Sequence, residues 1–178
     1  ELITRDGWLQ LHRSEETFKE AQASAIDARN QGVEHNVLNV EELKAMEPSA
    51  NFEDFVGAIH WKNSWQVSNP SSLVKAYAKN FQDMQGTIKE SDVKEIVQDA
   101  DGWKVVTDNE TYYSDKLVIA AGPWSNDLIK PLGYNLPLFP MRGYHQHFKV
   151  TEKNSIHHSM FDMDKGFVMG PMQQGIRI

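Results

Sequence analysis

The residues able to do chemistry beyond packing cluster in the second half of the chain. The stretch Lys116-Leu117-Val118-Ile119-Ala120-Ala121-Gly122-Pro123-Trp124-Ser125 runs from a short β-branched segment into Ala-Ala-Gly and then a polar, helix-like segment. A buried parallel strand reads this way where its carboxyl end opens on a crevice. Such crevices in open α/β sheets hold ligands, nucleotide cofactors among them. Gly122 at that strand end permits close backbone approach, and a plain strand-to-helix turn is the competing reading. Arg142 follows Pro140 beside Gly143 and Tyr144, and Arg177 stands in Gly175-Ile176-Arg177-Ile178. A guanidinium is a planar donor fork matched to a carboxylate, so either arginine is a sensible anion anchor. A surface salt bridge competes for Arg142. Packing on a half-buried sheet competes for Tyr144, whose hydroxyl could instead hydrogen-bond a ligand.

His145 and His147 stand two apart and share a face if the segment is extended, with His157-His158 close behind. No carboxylate or third histidine lies at a recognised ligand spacing, so no metal site is expected. Ser125 lies in no Gly-x-Ser-x-Gly elbow, and no catalytic residue is assigned. The acidic segments around Glu15, Glu41 and Glu90 read as solvated faces.

These residues need elements to hold them. Gly7–His12 alternates and reads as a strand. Ser14 caps a helix with Glu15 and Glu16 in its first turn, Phe18, Ala21, Ala25 and Ile26 on its apolar face, and Gly32 at its end. Val37–Val40 reads as a strand, Glu41–Met46 as a short helix and Val56–Trp61 as a strand. Asn69-Pro70 opens a further helix, with Leu73, Val74, Tyr77 and Phe81 as its apolar face and Gly86 as its terminator. A brief strand is expected at Thr87–Ile88. A β-meander follows over Val93–Val97, Trp103–Thr107 and Tyr112–Tyr113, with turns at Asp101-Gly102 and Asp108-Asn109. The Leu117–Ala120 strand, a helix over Ser125–Ile129 and one long strand or a pair over Leu138–Val150 come next. Two short strands after Met160, split at Lys165-Gly166, complete the pattern.

Composition narrows the classes. The chain has 178 residues, 40% hydrophobic and 24% charged, which is ordinary for a globular fold. A net charge of -7 without a basic stripe argues against nucleic-acid binding. Zero cysteines remove disulfides, iron–sulfur sites and thiolate zinc sites. No apolar run approaches a membrane span. The chain opens on Glu1 and closes in a strand pattern, and so reads as an internal piece of a longer protein.

The order helix, strand, meander, strand, Ala-Ala-Gly, helix is distinctive. Together with Asn69-Pro70, the Ala120–Ser125 block, Leu132-Gly133, Leu136-Pro137-Leu138 and Pro140-Met141-Arg142-Gly143-Tyr144, it resembles the FAD-dependent amino-acid oxidoreductases. That family includes D-amino acid oxidase, glycine oxidase and sarcosine oxidase; the strongest resemblance is to its bacterial D-amino acid dehydrogenase branch. Gly175-Ile176-Arg177-Ile178 is similar to the family's Gly-hydrophobic-Arg-hydrophobic strand.

The resemblance implies an α+β fold. A mostly antiparallel substrate-domain sheet with flanking helices, over 1–68 and 138–178, would enclose a partial FAD-binding α/β lobe over 69–137. It implies FAD as cofactor, approached by Val93, Ala120, Ala121, Gly122 and Trp124, and a small amino-acid or amine substrate near Arg142, Tyr144 and Arg177. The implied reaction is oxidative deamination of an amino acid, a D-amino acid in the nearest branch, by hydride transfer to the flavin. Electrons would pass to oxygen or to a quinone or carrier, in a cytoplasmic enzyme or one peripheral at the inner membrane face. Gly7, Gly32 and Gly57 are solitary, so the family's Gly-x-Gly-x-x-Gly pyrophosphate turn is not in this sequence. The chain alone is therefore expected neither to retain FAD nor to turn over, and exposed apolar faces are expected to favour a non-native dimer. A non-enzymatic α+β binding or interaction module is the reading of a different class that accommodates the solitary glycines.

Overall fold

The helix starts follow from their caps. Ser14 accepts a hydrogen bond from the Thr17 N–H and opens α1 (Glu15–Asn30). Asn39 and Glu42 form a reciprocal capping box at α2 (Val40–Met46). Asn69 accepts from the Ser72 N–H before α3 (Pro70–Asp83). The computed structural model describes residues 2–151 and 153–178. Before α3 lie β1 (Ile3–Thr4), β2 (Trp8–His12), β3 (His35–Leu38), β4 (Gly57–Trp61) and β5 (Gln66–Val67). After it come β6 (Val93–Asp99), β7 (Gly102–Thr107), β8 (Thr111–Ser114) and α4 (Ser125–Ile129). Four strands end the order: β9 (His147–Phe148), β10 (Ser159–Asp162), β11 (Phe167–Met172) and β12 (Gly175–Arg177).

The chain divides into two compact units. One comprises residues 1–80 and 144–178, and the other is the insertion Phe81–Gly143. The first unit is built on a seven-stranded sheet in the order β3-β4-β2-β10-β11-β12-β9, antiparallel except where β10 runs parallel to β2. Strands from both ends of the sequence are thereby interleaved in one sheet. Leu9, Leu11, Ala58, Met160 and Ile176 bury one face beneath Leu43, Phe52 and Ile156. On the opposite face, Phe18, Ala21 and Ala25 of α1 pack on Ile59. Burying a Leu or Phe side chain contributes about 1.5–3 kcal/mol. The helix covers only the β3-β4-β2 side of this face, and the β10-β11-β12-β9 side is left open.

The second unit is the antiparallel meander β6-β7-β8 with α4, where Ile96, Ile129 and Ser125 are buried. Its register shifts between Val93 and Glu95, a bulge at the start of β6.

Four strand expectations change. Leu117–Ala120 is extended but forms no ladder among the described residues. A parallel strand is stabilised by neighbours on both edges, and none stands beside this run; Val118 is accordingly 86% exposed. Among the described residues Thr87–Ile88 likewise pairs with nothing, and only His147–Phe148 of the 138–150 segment enters a ladder. Three strands rather than two follow residue 158, and the β1–β5 ribbon is additional. No helix among the described residues is long and apolar enough to cross a membrane.

Candidate functional site

Register places the polar residues of the open half-face. Trp61 pairs with Trp8, Trp8 with Ser159, Gly170 with Arg177, and Arg177 with His147. Paired residues share a face, so these side chains line up across the sheet. Trp8 and Trp61 stack at 6.4 Å and fill the row beneath the α1 side. Beyond them, Tyr144, Ser159, Val168, Gly170, Met172 and Arg177 line a cleft of about 430 Å³.

Arg177 is half-buried at its centre. Gly170 on one side contributes no side chain, which leaves the guanidinium room. On the other side Gln146 and Ile178 exchange both backbone hydrogen bonds, at 2.8 and 3.0 Å. The adjoining Arg177–His147 pair is therefore a non-hydrogen-bonded one, where side chains approach most closely. The His145 and His147 rings meet edge to face at 5.6 Å. No Asp or Glu among the described residues lines the cleft, and Arg177 has no ion pair or side-chain hydrogen bond among them.

The sheet's other face carries an apolar cavity of about 300 Å³ lined by Leu11, Phe52, Met160, Met169 and Ile176. Its one cation is already neutralised. Arg13 Nε donates to the buried Asp162 at 2.8 Å, its guanidinium reaches Asp54 at 3.3 Å, and it lies over the Phe55 ring. An unpaired guanidinium on one face against a satisfied one on the other makes the Arg177 cleft the candidate site.

The sequence-derived residues divide between the units. Tyr144 and Arg177 are brought together in this cleft. Arg142 belongs to the other unit, exposed in an irregular segment. Val93, Ala120, Ala121, Gly122 and Trp124 also belong to that unit. Val93 stands at the head of β6, Ala121 is half-buried, and Gly122 begins and Trp124 ends a short 3-10 turn leading into α4.

A cluster that sequence reasoning missed holds the loop before β10. Glu47 is fully buried. Its carboxylate accepts from the backbone N–H groups of His157 (3.0 Å) and His158 (2.7 Å) and from both Nδ1 atoms, at 3.3 and 2.7 Å. Burial pushes this carboxyl up, but the His158 side chain and the two N–H donors outweigh it and hold it below the usual range. His60 packs edge to face on His158 at 5.3 Å and bonds the Asp6 carbonyl through Nε2. Burial lowers the pKa of His60, more strongly than the Asp6 bond raises it. Among the described residues no group of three or more potential ligands is placed to hold a metal.

A family model described as FAD dependent oxidoreductase (DAO) matches residues 2–178. The chain belongs to this family. Peroxisomal sarcosine oxidase of Homo sapiens is 30% identical over 150 residues, 79% of this chain and 37% of that protein. A D-amino acid dehydrogenase of Bradyrhizobium diazoefficiens is 27% identical over 176 residues, 97% of this chain and 41% of its own. The DAO-family fold is equally visible in glycine oxidase from Geobacillus kaustophilus. That structure superposes with a TM-score of 0.86 at 23% identity, over 98% of this chain and 46% of its own. The chain thus spans about two fifths of the length of the curated relatives it matches.

The residues of this DAO-family chain fit one wall of a flavin site. Gly122 adopts φ +55°, and a Cβ there would meet no atom within 4 Å, so the backbone lies open to a ligand. Trp124 beside it is 70% exposed, an aromatic surface free to cover one. The Gly-rich pyrophosphate turn is not among the residues present.

Proposed function

We propose that this chain supplies the amino-acid-binding face and part of the FAD-binding lobe of a dehydrogenase or oxidase that oxidatively deaminates amino acids, D-amino acids foremost. The observation that carries the reading is Arg177, unpaired among the described residues, in a cleft that none of their carboxylates lines, within a family of FAD-dependent oxidoreductases. In this reading the seven-stranded unit binds substrate, and the 81–143 unit, with Val93, Ala120, Ala121, Gly122 and Trp124, approaches the cofactor.

The chain's own residues then bind and orient. Arg177 takes the substrate carboxylate in a two-point grip that fixes the direction of the Cα–H bond. Tyr144, at the cleft rim, covers the bound substrate and excludes water. Arg142 is a second candidate for carboxylate contact. Gly122 lets the cofactor lie against the backbone. Bound FAD supplies the hydride-accepting chemistry that converts an amino acid to an imino acid, which hydrolyses to a keto acid and ammonia. No acid or base from the cleft is required beyond an amine that reacts in its neutral form.

The test is anaerobic mixing of the FAD-loaded, full-length enzyme with D- and L-amino acids while the visible flavin absorbance is followed. Bleaching by D-amino acids is expected, and no bleaching by any amino acid or N-methyl amino acid would overturn the reading. Oxygen consumption against dye reduction then separates an oxidase from a dehydrogenase that feeds a quinone or carrier.

A further inference from the structure

The charge of the cleft runs against that of the chain. Acidic residues outnumber basic ones by 25 to 18 overall, yet no carboxylate among the described residues lines the cleft. Arg177 and His145 line it instead, and His147 stands beside both on the same sheet face. Arg177 and His147 are cross-strand neighbours in the close, non-hydrogen-bonded pairing, and the His145 ring rests against that of His147. None of the three has a carboxylate partner among the described residues. Each histidine can donate a hydrogen bond to an anion, as a neutral ring or as a cation.

One carboxylate occupies the guanidinium fork and leaves the histidine pair unsatisfied. We infer that the cleft takes a short dicarboxylic amino acid, of the aspartate or glutamate class, with the α-carboxylate on Arg177 and the side-chain carboxylate on His145 and His147. This rests on the reading of Arg177 as the carboxylate anchor. Arg177 and His147 spring from directly opposed residues, whose Cβ atoms are about 5 Å apart, so a ligand that meets both is a short one. Gly170, on the far side of Arg177, leaves space for the chain of the ligand and adds no competing polar group. Met172 and Val168 supply apolar wall for its methylenes.

The experiment is a two-dimensional NMR titration of the full-length, FAD-loaded enzyme, its flavin kept reduced so that no ligand turns over, with aspartate and glutamate, each enantiomer, against alanine and glycine, with inorganic pyrophosphate as a further probe. The His145, His147 and Arg177 resonances are expected to move together, with dicarboxylates bound roughly tenfold more tightly than alanine, as one added charge-assisted contact gives. In the H145Q/H147Q double variant, checked for folding by its unperturbed core methyl signals, the ratio falls toward one. Equal affinities for alanine and glutamate in the parent chain overturn the dicarboxylate inference and leave the carboxylate anchor standing. Binding of no amino acid overturns both. Pyrophosphate bound more tightly than any dicarboxylate, on the same resonances, assigns the cleft to phosphate and also overturns it.

Discussion

Arg177 and His147 face each other across the β12–β9 ladder, on the half of the sheet that α1 leaves uncovered. The guanidinium is held by strand register, with Gly170 as its other neighbour and, among the described residues, no carboxylate to neutralise it. The opposite face has its own arginine, Arg13, tied to a buried aspartate. One sheet thus carries a structural cation on its covered face and an available one on its open face.

The 178-residue chain, purified by itself, is expected to be colourless. In the proposed reading Gly122 and its surroundings supply one wall, but this sequence has no Gly-x-Gly-x-x-Gly turn to hold a pyrophosphate. An absorbance spectrum after desalting checks this, and a stoichiometric yellow flavin would contradict it.

Replacing Gln85 by Gly is expected to stabilise the 81–143 unit. At the end of α3 the Gly86 N–H bonds the Phe81 carbonyl and the Gln85 N–H bonds the Gln82 carbonyl, a Schellman motif. Its left-handed position, φ 67°, is occupied by Gln85. In α1 the equivalent place belongs to Gly32, φ +85°. Relief of left-handed strain is worth about 1 kcal/mol, read as a higher urea midpoint at unchanged slope.

Glu47 is expected to dominate acid sensitivity in the first unit. Its folded pKa lies below its unfolded one, so its stabilisation is complete above about pH 4.3 and is lost as pH falls through the lower folded value. E47Q flattens the stability profile in that acid window. E47A strands the His157 and His158 N–H donors and costs about 2–3 kcal/mol. Urea titrations at stepped pH measure both; an E47Q profile as steep as the parent's would argue against the cluster.

His12 and His60 impose a second, milder dependence. Burial lowers both, against the pull of Asp164 and Asp162 on His12 and of the Asp6 carbonyl on His60. The unfolded chain takes up protons that the folded one refuses, so stability is full above about pH 6.5 and declines as pH drops below it. H60N is expected to reduce that decline. Histidine proton NMR should show both rings titrating below the usual histidine range; an ordinary titration of both would refute the assignment.

Local signals carried the legible part of the fold. Ser14, Asn69-Pro70 and Asp101-Gly102 each act within a few residues, and the helices and meander they mark are present. The Leu117–Ala120 run failed as a strand because a strand is a property of its neighbours, which composition does not reveal. Glu47 gave no signal either, since its partners lie 110 and 111 residues away. Arg177 was legible as a type through the match of guanidinium to carboxylate, and Tyr144 through its hydroxyl. Their meeting in one cleft, with His147 opposite, required the register of β9, β11 and β12. Gln85 was one position from the expected glycine, a difference that only backbone angles expose.

The most direct test of the account is Arg177→Met in the FAD-loaded, full-length enzyme, assayed by anaerobic flavin reduction with an amino acid and with the corresponding amine that lacks the carboxylate. Loss of a charged two-point hydrogen bond predicts about 10- to 100-fold weaker amino-acid binding. The variant's handicap should vanish with the amine. An R177M enzyme that binds the amino acid as tightly as the parent would contradict the assignment of the cleft.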